Sequence, residues 1–473
     1  MAAKTWILSA GILLALSACS TVSSVTDTFT GGSATGVPVT GFLGGVVADE
    51  PAAALAGREV LALGGTAADA AVAVGLTLAV TYPSRASLGA GGACLAYSPG
   101  RTGAGGGAPE AIVFMPVAPT TVVPRSDRPA AIPMLARGLF ALHARYGHRP
   151  FETLVASAEQ LAEIGTPASR AFVRDLSLVA APLLADPAAR AVFAPHGSVL
   201  TEGATMVQHD LGNTLSHLRL SGVGDLYQGY LASRFAAAST QAGGGMTVGD
   251  MRAALPRTLA PIVLTAGSDS VAFLPLPADG GLAAAAAFET LEANHRATQA
   301  ANDRALAVAA RVRAGGPIDP VALLKGAIPA GGTLPALPAS TNFATLDRDG
   351  NAVVCALTMN NLFGTGRIAP GMGIVLAASP ASGPAPLLSA AIAWNPNQRA
   401  FRAVVGGSGQ AGAPLAVAAG MVNTLHSDAA MPAPVPDPGR ADVIACAHYL
   451  PGHEESCTWA GDPRNAGLAV GSN

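Results

Sequence analysis

The stretch that decides the fold runs Ser340-Thr341-Asn342-Phe343-Ala344-Thr345-Leu346, then Asp347-Arg348-Asp349-Gly350, and after Asn351 it continues Ala352-Val353-Val354-Cys355-Ala356-Leu357. Two runs rich in β-branched and apolar residues flank a polar turn in which Gly350 supplies a positive φ, so the pattern predicts a β-hairpin. Just before it, residues 327–338 alternate Pro and Gly among small residues with no usable period, which reads as an exposed loop. A loop therefore delivers Ser340 to the start of a strand.

Upstream, helical signals dominate. Pro51 opens a helix that stops at Gly64-Gly65, and Thr66 caps a second one over residues 67–80, ended by Tyr82-Pro83. The near-continuous small apolar surface of that second helix predicts burial on most sides. Ser87-Leu88-Gly89-Ala90-Gly91-Gly92-Ala93-Cys94-Leu95-Ala96-Tyr97 is a glycine-rich turn leading into a strand. Its glycines read as tight packing of helix against sheet, because a phosphate loop needs a following helix. Residues 134–146 and 151–164 carry apolar side chains at helical spacing, and residues 411–425 predict one more helix. From Met431 onward, with Pro432, Pro434, Pro436 and Pro438, the tail reads as largely irregular. Strands mixed with helices toward both ends of the chain imply an α/β body of the layered α+β kind, in one folded unit.

A formal charge of -3 with 12% charged residues argues against a nucleic-acid surface, which needs a basic stripe, and points to a small-molecule substrate. Residues 1–18 have the cation, apolar core and small-residue end of a signal peptide, too short to span a membrane. Leu16-Ser17-Ala18-Cys19 resembles the bacterial lipobox, which implies lipidation of Cys19; an ordinary secretory peptide cut near Ala18 is the alternative. Residues 19–36, rich in Ser, Thr and Gly, read as a flexible tether. The expected location is the bacterial cell envelope, periplasm-facing, with the membrane as partner through acyl chains on Cys19. Cys94 and Cys355 sit in apolar runs and read as inert core residues. Cys446 and Cys457, close together in a polar segment of an exported protein, read as a disulfide. No spacing of Cys or His suggests a metal, and no cofactor is implied.

Several segments together resemble the γ-glutamyltranspeptidase family. Gly-Gly-Thr-Ala-Ala-Asp-Ala-Ala-Val-Ala over residues 64–73 and Leu-Gly-Ala-Gly-Gly-Ala-Cys-Leu over 88–95 are similar to a helix and a glycine-rich strand of that family. So are residues 132–165, Tyr227-Gln228-Gly229, Gly245-Met246-Thr247-Val248-Gly249-Asp250-Met251, and the hairpin 340–361 with Phe363-Gly364-Thr365-Gly366. The resemblance implies an N-terminal-nucleophile hydrolase fold, an αββα sandwich. It also implies a precursor cut before its nucleophile, here Ser340, into a large segment, 37–339, and a small one, 340–473, sharing one folded body. Thr358 falls where the family has the threonine that bonds the nucleophile, and Asn360 where an asparagine contacts substrate. A freshly exposed α-amine, with a reference pKa of about 7.7 to 8.0, can serve as base for the Ser340 hydroxyl.

The departures cluster on substrate contacts. Met115 occupies the place of the arginine that pairs with the α-carboxylate of a glutamyl group, and Ala377-Ala378-Ser379-Pro380-Ala381-Ser382 carries no carboxylate to grip its amine. Of a pair of serines Ser389 alone is kept, and the oxyanion turn reads Gly407-Ser408-Gly409-Gln410-Ala411. The nucleophile is serine where threonine is usual, and Asn342 stands for a histidine. Three readings stay open: a hydrolase of this fold acting on another small amide or peptide, a true γ-glutamyl transferase or glutathione hydrolase, and an uncleaved, catalytically silent envelope lipoprotein with a binding or structural role.

Overall fold

Thirteen strands of three or more residues build two sheets, and the computed structural model describes residues 40–101, 107–121, 126–328, 339–383 and 386–472. These belong to the unit Pro38–Asn473; the expected signal peptide, the tether with Cys19, and most of the loop before Ser340 lie outside the described residues. The first sheet contains β1 (Gly44–Ala48), β2 (Gly91–Tyr97), β3 (Glu110–Phe114), β4 (Arg257–Leu259), β7 (Ser340–Asp347), β8 (Ala352–Thr358) and β13 (Leu468–Ser472), in the order β13-β1-β7-β8-β2-β3-β4. The second contains β5 (Ile262–Ala266), β6 (Asp269–Phe273), β9 (Ser389–Asn395), β10 (Ala400–Ser408), β11 (Arg440–Leu450) and β12 (Cys457–Gly461), in the order β12-β11-β10-β9-β6-β5. Each ladder in both sheets is antiparallel.

Alternation along the strands sorts side chains into three cores, because successive residues point to opposite faces. Val47, Ala344, Leu346, Val354 and Ala356 meet Ala390, Ile392, Val404 and Ile444 between the sheets. The outer face of the first sheet, with Phe343, Val353 and Leu357, packs on the helices α1 (Pro51–Ala62), α2 (Ala67–Thr81), α3 (Leu135–Tyr146) and α4 (Phe151–Ile164). The outer face of the second, with Phe273, Ala391 and Val405, packs on α5 (Asp279–Ala293), α6 (Thr298–Arg313) and α7 (Ala413–Leu425). Helix, sheet, sheet, helix is the expected αββα order.

The helix boundaries follow from local chemistry. Thr66 and Asp69 form a capping box at the start of α2, whose fifteen residues are all buried. Glu50 caps α1 through the Ala53 N–H, with Pro51 at its first position. The hairpin forms as expected, with Gly350 at φ 80. The glycines of β2 are needed for a different contact from the one expected: a Cβ on Gly92 would lie 2.4 Å from the Ala356 carbonyl of the neighbouring strand, not against a helix.

Two expectations are corrected. The tail is not largely irregular: β11, β12 and β13 follow the prolines, and β13 pairs with β1 at the edge of the first sheet. Cys94 and Cys355 are not inert thiols; they face each other across the β2–β8 ladder and form a disulfide. Cys446 and Cys457 form a second, across β11 and β12.

Candidate active site around Ser340

Ser340 is the first residue of β7 and is fully buried. Its partner in the ladder is Thr358, the last residue of β8, whose own partner on the far side is Gly91. Alternation puts Ser340 and Thr358 on the inner face, toward the second sheet. The Thr358 hydroxyl donates to the carbonyl oxygen of Ala339 at 2.7 Å and accepts from the Asn360 N–H at 2.9 Å. The Asn360 amide donates to the Ala378 carbonyl at 2.8 Å, and its backbone holds φ 61. A chain of donors thus ends on the carbonyl of the Ala339–Ser340 peptide bond.

The opposite side of the site comes from the second sheet. Gly409 N–H lies 3.4 Å from Ser340 Oγ and points its hydrogen at it. Gly409 sits at φ 99, and a Cβ there would lie 1.9 Å from the Pro438 carbonyl, so the turn requires glycine. Gln410 follows at φ 54 and Ala411 continues a short 3-10 turn into α7.

Not every expected residue converges. Ser389 and Ala390 alternate, and Ala390 faces the inter-sheet core; Ser389 therefore turns to the helices, where its hydroxyl donates to the Gly280 carbonyl at 3.0 Å. Ser389 is spent on anchoring α5. Met115 follows Phe114, the ladder partner of Gly92, so it lies three strands from Ser340, roughly 14 Å away by strand spacing, and packs against the inter-sheet core. The segment that lacks the carboxylate is tied by backbone bonds, with Ala131 N–H on Ala377 and Ser379 N–H on Pro129.

Five residues at the site were not singled out by sequence. Arg85 donates to the Ser340 carbonyl at 3.1 Å and grips Asp175 with two bonds of 2.7 Å, while Ser84 also donates to Asp175. A lone cation among the small residues after Pro83 was the available signal. Asp49 accepts from the Thr341 hydroxyl at 2.9 Å and the Asn342 N–H at 3.1 Å. Burial pushes its carboxyl up, against the pull of the Arg85 charge and those donors. In Asp49-Glu50-Pro51 it passes for part of a helix start. Asp442, the third residue of β11, has no local signature.

Residues 53–313 match the family model described as Gamma-glutamyltranspeptidase. The glutathione hydrolase proenzyme of Escherichia coli (strain K12) is 28% identical over 394 residues, 72% of this chain, and that of Pseudomonas aeruginosa is 26% identical over 383 residues, 70% of this chain. The chain spans 66% of the length of the first and 67% of the second, and 43% of the Bacillus subtilis (strain 168) proenzyme. Among solved structures, γ-glutamyltranspeptidase of Helicobacter pylori aligns with a TM-score of 0.50 and 25% identity over 59% of this chain and 84% of its own. A cephalosporin acylase from Bacillus halodurans aligns with a TM-score of 0.72 over 93% of this chain and 98% of its own, at 18% identity, a likeness of fold.

Proposed function

The chain belongs to the γ-glutamyltranspeptidase family, and from that premise we propose that it is an N-terminal-nucleophile amide hydrolase or transferase that cuts its own Ala339–Ser340 bond. The observation that carries the proposal is the Thr358 hydroxyl, 2.7 Å from the Ala339 carbonyl oxygen, beside the Ser340 hydroxyl. Ser340 Oγ attacks the Ala339 carbonyl carbon, and the developing oxyanion takes a stronger bond from Thr358. The C–N bond breaks as the hydroxyl proton passes to the departing Ser340 nitrogen, leaving an ester between Ala339 and Ser340 Oγ. Water hydrolyses that ester to the Ala339 carboxylate and a free Ser340 carrying both hydroxyl and α-amine. The amine then acts as base when the hydroxyl attacks a substrate amide, with backbone N–H groups of the 409–411 turn toward the new oxyanion.

The substrate in this proposal is an amide or peptide other than a γ-glutamyl compound. Met115 gives no charge, and Ala377 and Ala378 give no carboxylate, so neither end of a glutamyl group finds a counter-charge there. The proposed setting is the periplasm-facing envelope, anchored through Cys19; two disulfides among the described residues suit an oxidising compartment. A second reading, the uncleaved and silent lipoprotein, is favoured by the complete burial of Ser340 in the uncut chain. A reducing denaturing gel of purified protein separates them. Self-cleavage gives two fragments meeting at Ala339–Ser340, and Ser340→Ala stays whole. A wild type that stays whole after long incubation leaves the silent reading.

A further inference from the structure

The layer between the sheets is apolar along most of its length and turns polar at the Ser340 end. Asn342, two residues along the same face of β7, points across to the second sheet, where a Cβ on Gly406 would lie 2.2 Å from its Oδ1. Gly406 pairs in the ladder with Asp442, which is buried and, two residues before the inter-sheet residue Ile444, shares its face of β11. Asp442 lies within hydrogen-bonding reach of the Asp49 carboxyl, and among the described residues its Oδ2 meets no N–H or O–H.

The two carboxyls are dressed differently. Asp49 collects four donors: the Thr341 hydroxyl at 2.9 Å, Asn342 N–H at 3.1 Å and Asn342 Nδ2 at 3.4 Å on one oxygen, and Asn465 Nδ2 at 2.6 Å on the other. Such a set suits a carboxylate. Two ionised carboxylates in contact repel, so the pair is at rest with one proton, and Asp442 is the member with an oxygen free to carry it. We propose that Asp442 is held as a neutral carboxylic acid donating to the Asp49 carboxylate, and that the pair is a positioning device fixing Thr341 and Asn342, and so the Ser340 hydroxyl, for attack on Ala339. This rests on the self-cleavage reading above.

Among the described residues, the cations around the pair are each engaged with another partner. From the turn after β12, Asp462 is held by Arg464 at 2.6 Å. Arg85 is committed to Asp175 and the Ser340 carbonyl. Arg440, at the start of β11, pairs with Asp437. Ser408 of β10 lies beside Asp49 and is uncharged. Burial, the Asp49 charge and the Asp462 charge all push the Asp442 carboxyl well above its usual value.

The test is the self-cleavage rate of full-length wild type, Asp442→Asn and Asp49→Asn from about pH 5 to 9, read on reducing gels. The wild-type rate is expected to fall as pH rises and Asp442 ionises. D442N keeps the low-pH rate within about threefold and loses that descending limb, while D49N is slower by roughly 100-fold throughout, the scale of a misplaced reacting group. The same limb in D442N overturns the proposal. Asp442→Ser, a small donor to Asp49, replaces D442N if the amide fails to fold. If no form cleaves, the self-cleavage reading fails, and the pair is judged by infrared difference spectra of wild type minus variant at neutral pH. A protonated carboxyl band supports it, and a carboxylate band in its place overturns it.

Discussion

Replacing Thr358 with valine removes one hydroxyl and keeps the shape of a side chain that is fully buried. In the uncut chain that hydroxyl bonds a neutral carbonyl at 2.7 Å; during attack the same oxygen becomes an oxyanion, so the bond is worth more in the transition state than before it. Donors of this kind contribute about 2.7 to 4 kcal/mol, or roughly 100- to 1,000-fold in rate. The change also strips the Asn360 N–H of its acceptor, a cost of about 1 to 3 kcal/mol that falls on folding stability. The two effects separate by assay. A time course on reducing gels gives a first-order cleavage rate, and thermal unfolding of uncleaved protein gives the stability loss. Thr358→Ser, which keeps the donor, should cleave within about tenfold of wild type. If folded Thr358→Val cleaves as fast as wild type, the oxyanion is held elsewhere and the assignment of Thr358 is wrong.

Other expectations follow from the same geometry. Burial lifts the Asp347 carboxyl from 3.8 to about 6. A folded pKa above the unfolded one means stability is present in full below about 3.8 and lost as pH rises through about 6. At roughly 1.36 kcal/mol per unit the loss is about 3 kcal/mol, and Asp347→Asn should abolish this slope in thermal unfolding measured across that window. An unchanged slope would place the titration on another group. Glutathione and γ-glutamyl anilides should turn over at least about 100-fold more slowly than a preferred amide, since a charge-assisted bond missing at each end of the glutamyl group costs about 1.5 to 3 kcal/mol apiece; robust hydrolysis would refute the altered substrate. Cys19→Ala should abolish incorporation of labelled fatty acid and leave the protein unanchored, and labelling that persists would remove the lipoprotein proposal.

The hairpin was readable because its two strands, its turn and its glycine are all local, whereas Thr358 was singled out only by the family resemblance and its place opposite Ser340 came with the ladder register. The capped helices α1 and α2 were readable for the same reason. β11 was not: its first seven residues, Arg440 to Cys446, are all buried, so no polar alternation marks them as strand, and the prolines before it suggested irregular chain. The partnership of Cys94 with Cys355 depends on β2 lying beside β8, a register between segments 261 residues apart. Ser389 shows the reverse difficulty. Its residue type suited the site, but one step of alternation sends it to the helix face. Asp49 and Asp442 each look ordinary alone, and their importance arises only where the two sheets bring them into contact.

The bond between Cys94 and Cys355 ties residues on opposite sides of Ala339–Ser340. A molecule cut there would remain one covalent object: without reductant it would migrate at full mass and pass for uncut. Both halves would also travel together, so a single acylated Cys19 would retain the segment carrying the nucleophile at the membrane even after partial unfolding, and only a denatured, reduced sample would release it. Maturation in this protein would be a change of chain ends without a change of molecularity.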